Sequence, residues 1–336
     1  MKRIIDNAVS LCVVVIVLFL IVPLPTFLLD LLLIVNIGLS IMILMITMNI
    51  TEALEFSIFP SLLLVTTLFR LGLNVSSTRL ILRDGYAGEV IKNFGQLITS
   101  GNIVIGVVIF LIIVLIQFIV ITKGAERVAE VAARFTLDAM PGKQMAIDAD
   151  LSSGLINEQE ARTRRHKGQK EAEFYGAMDG ATKIVKGDAV MSLVITLINF
   201  VGGVLIGLIN GGDFSTTLST YSIVTIGDGL VSQLPALMIS TATGMIVTRS
   251  VSEGSLSTDL LGQFSAQPKA IMATGVILII LGLIPRTPHL ALFAGGGVLL
   301  GVGYYAMQRM NRKEEAERKL EKTEDNLTRI NDKVSE

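Results

Sequence analysis

Eight apolar runs, at about 8–22, 27–48, 58–82, 101–122, 188–210, 221–247, 269–284 and 288–306, recur along the sequence. Each approaches the length an α-helix needs to cross roughly 30 Å of hydrocarbon. A chain built this way has no soluble core to form. The expected fold class is therefore all-α: a polytopic membrane protein of about eight transmembrane helices with a small helical cytosolic insertion. Composition agrees, since 51% of residues are hydrophobic before the 31 glycines are counted and the mean hydropathy is +0.66. Soluble domains sit near 45 to 50% with glycine included. The single Cys12 leaves no disulfide framework and no cysteine-based metal site within one chain.

Lys2 and Arg3 precede the first run, which lacks a small-x-small cleavage site and passes through "PLPT" into the next run. It reads as a first transmembrane helix with its N-terminus inside. The chain then divides into transmembrane helices 1 to 4 (1–122), a cytosolic loop subdomain (123–187), helices 5 to 8 (188–308) and a charged linker (309–336). Even parity returns the C-terminal end to the cytoplasmic side. Positive charge supports this orientation, because 123–187 holds 11 Lys and Arg whereas "NGGDFSTTLST" (210–220) holds none. Arg79, Arg83 and Lys92 are the exception, on the nominal outer side.

The loop 123–187 is too polar to enter a bilayer. Within it, "INEQEARTRRHKGQKEAEFYGAM" reads as a helix with Asn157 as N-cap and Glu160 three residues on. "AERVAEVAARF" continues helically from the fourth run and carries Glu126, Arg127, Glu130 and Arg134 on its surface, either a solvated face or a contact between subunits. "MPGKQ" lacks the spacing of a phosphate loop, and Asp138, Asp148 and Asp150 lack the glycine turn and bidentate Glu of an EF-hand. His166 and His289 read as surface residues. With no nucleophile–base constellation in view, neither an enzyme nor a cofactor, metal or nucleic-acid site is expected.

The stretch "FRLGLNVSSTRLILRDG" (69–85) places arginines where a span should continue. Residues 58–69 rise only about 18 Å as a helix, so the span must run through Arg70 towards Leu82. Arg70 then lies near mid-membrane, where an arginine costs about 2.5 to 3.5 kcal/mol and should face a partner or water. At 100° per residue Thr66, Thr67, Asn74 and Ser77 share its side, making one polar stripe. Arg79 points the opposite way unless Gly72 breaks the helix, and it is expected to snorkel outward. Asp228 lies about 10 Å into the span it occupies and close to the level of Arg70, with Gly227, Gly229 and Pro235 placed to bend the backbone and admit water. Asp188 is expected at the cytoplasmic edge, an inner mouth with Lys183 and Lys186 nearby. Two readings remain open: an Arg–Asp pair that fixes packing, and a relay in which one carboxylate binds and releases protons under the influence of the arginines.

"FRLGLNVSSTRLIL" resembles the signature of the FHIPEP family, the large export gate proteins of flagellar and virulence type III secretion systems, with Arg70, Ser76, Ser77, Thr78 and Arg79 filling its pattern. The resemblance extends through "VITKGAERVAEVAARFTLDAMPGKQMAIDADL", "GAMDGATKIVKGDA" and "TIGDGLVSQLPALMISTATGMIVTR". "RLGLN" and "FTLDAMPGKQMAIDADL" look more like the flagellar branch than the injectisome branch. It implies a homo-oligomeric ring, expected to be nonameric, in the bacterial inner membrane. The ring would work with the other export gate membrane proteins and the export ATPase complex, and would couple proton motive force to protein export. The charges at Arg70, Arg79, Lys183, Asp188 and Asp228 match family positions tied to export, and Arg127, Arg134 and Asp138 match its most specific loop motif and are expected in ring contacts. Export substrates and chaperones would dock on a C-terminal cytosolic domain beyond the linker. A secondary transporter for a small solute and a passive assembly scaffold are the alternatives.

Overall fold

The computed structural model describes residues 2–99, 101–119, 124, 126–249, 262–284 and 288–335. Among these the chain is helical, with no strand. It forms two compact units, Met1–Glu253 and Gly254–Glu336.

In the first unit α1 (Lys2–Phe19) is followed by α2 (Thr26–Asn49), a short 3-10 turn at Ala53–Phe56, α3 (Phe59–Asp84), α4 (Glu89–Thr99), α5 (Ile103–Ile119), α6 (Glu126–Ser152), α7 (Glu158–Ile209) and α8 (Phe214–Val247). Local signals explain several boundaries. Pro60 in the first turn starts α3, where a missing N–H is harmless, and Gly85 at φ 63° ends it. Asn157 accepts from the Glu160 N–H at 2.8 Å, the expected N-cap, and Asp213 does the same for α8 through Thr216 at 3.2 Å. Glycines and Pro235 do not bend α8 into separate pieces: it runs unbroken from Phe214 to Val247. Gly227 and Gly229 instead let neighbours close in. The absent Cβ of Gly227 leaves room for the Ile91 carbonyl, and that of Gly229 for the Phe110 ring.

Among the described residues, five helices are long and apolar enough to cross a bilayer: α2, α3, α7, α8 and the helix from His289 to Arg312. The helices α4 and α5, meeting at 102°, make a sixth if the bent pair is one span. The remaining apolar runs form shorter helices, with 17 residues in α5 and 15 in Pro268–Gly282, or, in α1, begin with Lys2, Arg3 and Asp6. Whether the fourth run passes into α6 without a break falls on residues 120–123 and 125, outside those described.

Apolar side chains gather in two main clusters. Ile43, Phe59, Leu63, Met178, Val185, Ala236 and Ile246 form one, and Leu29, Leu73, Ile81, Ile91, Tyr221 and Val231 the other. A finding for α7 is that its buried face begins well before residue 188. Phe174, Tyr175, Met178, Ala181, Thr182 and Val185 are all buried at helical spacing. The helix is continuous across the 187/188 boundary, so the polar half of α7 and the apolar half share one stripe.

Asp30 of α2 caps α4 from outside, its carboxylate accepting from the Glu89 N–H at 2.9 Å and the Val90 N–H at 3.0 Å. Two otherwise orphaned donors of α4 are thereby satisfied across 59 residues of sequence. Asp30→Ala is expected to lower stability by about 1 to 2 kcal/mol, with Asp30→Asn losing less because it can still accept. Thermal unfolding of both variants in one detergent checks the order.

In the second unit Pro268–Gly282 and the helix His289–Ser335 pack through glycine. Gly275 lies against the Gly296 carbonyl and Gly303 against Met272, the close approach that small residues permit in lipid. The charged segment after 309 is helical to Ser335, continuous with the last apolar run.

Candidate functional site

The polar stripe of α3 is buried as the 100° arithmetic requires. Thr66, Thr67, Arg70, Asn74 and Ser77 all lie in the interior, with Arg70 only 3% exposed. The helix stays intact through Gly72, which accommodates the Ile16 carbonyl and Phe19 of α1.

Arg70 forms a salt bridge with Asp188 of α7. This differs from the expectation that Asp188 sits at a cytoplasmic edge and that Asp228 is the carboxylate level with Arg70. The cause is the early start of the buried face of α7, which carries Asp188 into the bundle, 3% exposed. One oxygen of Asp188 and one terminal nitrogen of Arg70 have no protein partner, so each ion keeps one unbonded polar atom. A buried pair of this kind has its Coulombic gain offset by desolvation, and it stabilises only through good geometry.

Further along the same seam Ser232 of α8 donates to the Asn74 side-chain oxygen at 2.6 Å, and the Ser77 hydroxyl donates to the Asn74 carbonyl at 3.0 Å. One turn of α8 beyond Ser232, Asp228 accepts from the Asn199 amide of α7 at 2.9 Å and faces Ser77. Its second oxygen and the oxygen of Asn199 are also buried without a protein partner. On α7 the two points are Asp188 itself, which meets Arg70, and Asn199, which holds Asp228; they lie eleven residues or about 16 Å apart along that helix. Arg70, Asn74, Ser77 and Ser232 lie between them. The result is a continuous file of polar side chains shared by three helices and flanked by apolar clusters.

The remaining singled-out residues lie elsewhere. Arg79 neither stays in the seam nor reaches solvent alone: it donates to the carbonyls of Ile21 at 3.0 Å and Leu20 at 3.1 Å, just past the C-terminal end of α1. Lys183 pairs with Asp179 at 2.7 Å on the exposed side of α7, and Lys186 with Glu126 at 2.8 Å. Arg127 pairs with Glu130 at 2.7 Å, and Arg134 approaches Asp138 at 3.8 Å, both along the exposed face of α6. Within one chain these are local surface pairs, each contributing about 0 to 1 kcal/mol. Asn199, Ser232 and Asp30 were not singled out in the sequence. Asn199 carried a usable signal, an amide in the middle of an apolar run.

No cluster of His, Cys, Asp and Glu able to hold a metal occurs among the described residues. The fold and this seam define a polytopic helical membrane protein with ionisable groups sequestered between its spans. The chain belongs to the FHIPEP family, whose pattern matches residues 16–336. It is 53% identical over 319 residues to the flagellar biosynthesis protein FlhA of Bacillus subtilis, covering 94% of this chain and 47% of that protein. It is 48% identical over 320 residues to the low calcium response locus protein D of Yersinia pestis (94% and 45%), and 47% over 312 residues to FlhA of Salmonella typhimurium (91% and 45%). The chain thus spans a little under half the length of these relatives. No solved structure matches it.

Proposed function

We propose that this chain is the membrane half of a flagellar type III protein export gate, a non-enzymatic component that couples proton motive force to protein export. On this reading it crosses the bacterial inner membrane eight times, with residues 123–187 and both ends of the stretch in the cytoplasm. It assembles as a homo-oligomeric ring, expected to be nonameric, beside the other export gate proteins and the export ATPase. Substrates and chaperones would dock on the half of the relatives that lies outside this chain. Arg127, Arg134 and Asp138 stand exposed on α6, open either to a neighbouring subunit or to water.

The observation that carries the coupling is the seam itself. Two carboxylates, Asp188 and Asp228, stand in line between three spans with Arg70 and hydroxyl groups between them, and buried ionisable groups among membrane helices mark ion pathways. Asp228 makes the cleaner test. Asn keeps its shape and still accepts from Asn199, so Asp228→Asn removes the titratable group and little else. In the full-length protein, Asp228→Asn should leave ring size and membrane level unchanged while secretion of flagellar subunits into the medium stops. Normal secretion from normal rings would make the chain a passive scaffold, and loss of the ring would make Asp228 a packing device.

A further inference from the structure

Four ion pairs fix the register of the α6–α7 hairpin. Glu126–Lys186, Lys143–Glu171, Asp148–Arg165 and Asp150–Arg164 follow one another as antiparallel partners. Arg70–Asp188 and the contact of Leu82 with Gly202 tie α7 to α3 as a parallel neighbour. Carrying one register through the other puts Glu130 level with Leu64 and Arg134 level with Pro60. Both levels lie in the first half of α3.

The opposite flank is fixed on the same scale. Ser232 bonds Asn74 and Tyr221 lies against Gly85, so α8 is antiparallel to α3; Arg249, just after α8, donates to the Met48 carbonyl near the end of α2 at 3.0 Å. Met45 and Ile46 of α2 are then also level with Pro60, and Met42 with Leu63. Ile41, Met42, Met45 and Ile46 are 41, 52, 50 and 37% exposed. In its 24 residues α2 has one charged residue, Asp30. At about 36 Å it has little length to spare over a core of roughly 30 Å, so hydrocarbon must cover it nearly to its end.

At one depth, therefore, one flank of the bundle presents methionine and isoleucine while α6 presents Arg127, Glu130 and Arg134, whose side chains are 70, 50 and 83% exposed. Lipid suits the first flank and excludes the second, because charged groups at bilayer depth turn to protein or to a water-filled cavity. A hollow of about 420 Å³ lined by Arg127, Val131, Phe135, Tyr175 and Val247 already opens there.

We propose that α6 borders a water-filled vestibule, open to the cytoplasm and sunk into the inner part of the bilayer thickness, whose blind end is the Glu126–Lys186 pair two residues short of Asp188. The vestibule brings bulk water within one side-chain layer of the Arg70–Asp188 pair. It rests on the membrane reading of the helices and not on export, and its readout is contact with water, so either reading can fail while the other stands.

The test compares two positions at one depth in the full-length protein, with Cys12→Ser, reconstituted in lipid bilayers. A nitroxide attached at Arg134→Cys should collide with a water-soluble nickel chelate about tenfold more often than one at Met45→Cys, which should favour dissolved oxygen. Glu130→Cys against Met42→Cys repeats the comparison one turn deeper, should the first pair fold poorly. If the α2 labels meet nickel as freely as the α6 labels, that depth is simply cytosol and the vestibule is overturned. Shielding of the α6 labels from nickel overturns it equally, since another protein surface or lipid then covers the face.

Discussion

Asp188→Leu alone is expected to destabilise the protein by about 3 to 5 kcal/mol, because it leaves the Arg70 guanidinium charged, buried and without its counter-ion. Arg70→Met alone should do comparable harm by stranding Asp188. The combination of Arg70→Met and Asp188→Leu is expected to recover most of the loss, since similar volume returns with no charge to desolvate. A double-mutant cycle on purified protein in one detergent, read by denaturant midpoints, measures the coupling. Additive losses would mean that the two groups do not depend on each other, contrary to the geometry. The same cycle separates structure from coupling: a doubly substituted chain that folds and assembles but does not export has kept its packing and lost a working charge.

Gly227→Ala should be nearly as severe. Its methyl group would collide with the backbone carbonyl of Ile91 and approach the backbone N–H of Gly95, and neither can rotate aside. Gly95 presents the reciprocal problem, with the Ile223 carbonyl against it. Relief requires α4 to lift away from α8, next to the carboxylate of Asp228. Overpacking at side chains typically costs about 1 to 3 kcal/mol, and a backbone clash belongs at the upper end. Gly244→Ala in the same helix provides the control, since no atom lies within 4 Å of its added methyl group. It should stabilise by about 0.5 to 1 kcal/mol through better helix propensity. Opposite shifts in melting temperature for the two substitutions are the expected result; a matching decrease would remove the close α4–α8 approach from consideration.

Features carried by one helix were legible in the sequence. The stripe of Arg70, Asn74 and Ser77 follows from angular arithmetic, and the Asn157 cap from a residue type three positions before its donor. Features that join distant segments were not. Asp188 meets Arg70 across 118 residues, and its burial was hidden because charged residues alternate with the buried stripe of α7 in a stretch whose composition reads as cytosolic. Asp30 and Arg79 spend their hydrogen bonds on the ends of other helices, a use that depends on which helix arrives beside them. Glycines at 227 and 229 suggested bending from composition, yet serve close approach, because α8 retains its hydrogen-bond ladder and the space is taken from outside.

The uninterrupted course of α7 has a mechanical consequence. Its 52 residues make a rod about 78 Å long, with Asp188 about 45 Å from one tip and about 31 Å from the other. A rod held near Asp188 by Arg70 is a lever with unequal arms. A tilt of about 10° about that point sweeps the Glu158 tip by about 8 Å and the Ile209 tip by about 5 Å in the opposite sense. Force applied to the hairpin beside the long arm arrives at the far side of the bundle without passing through any loop, and the fulcrum is the place where the charge is held.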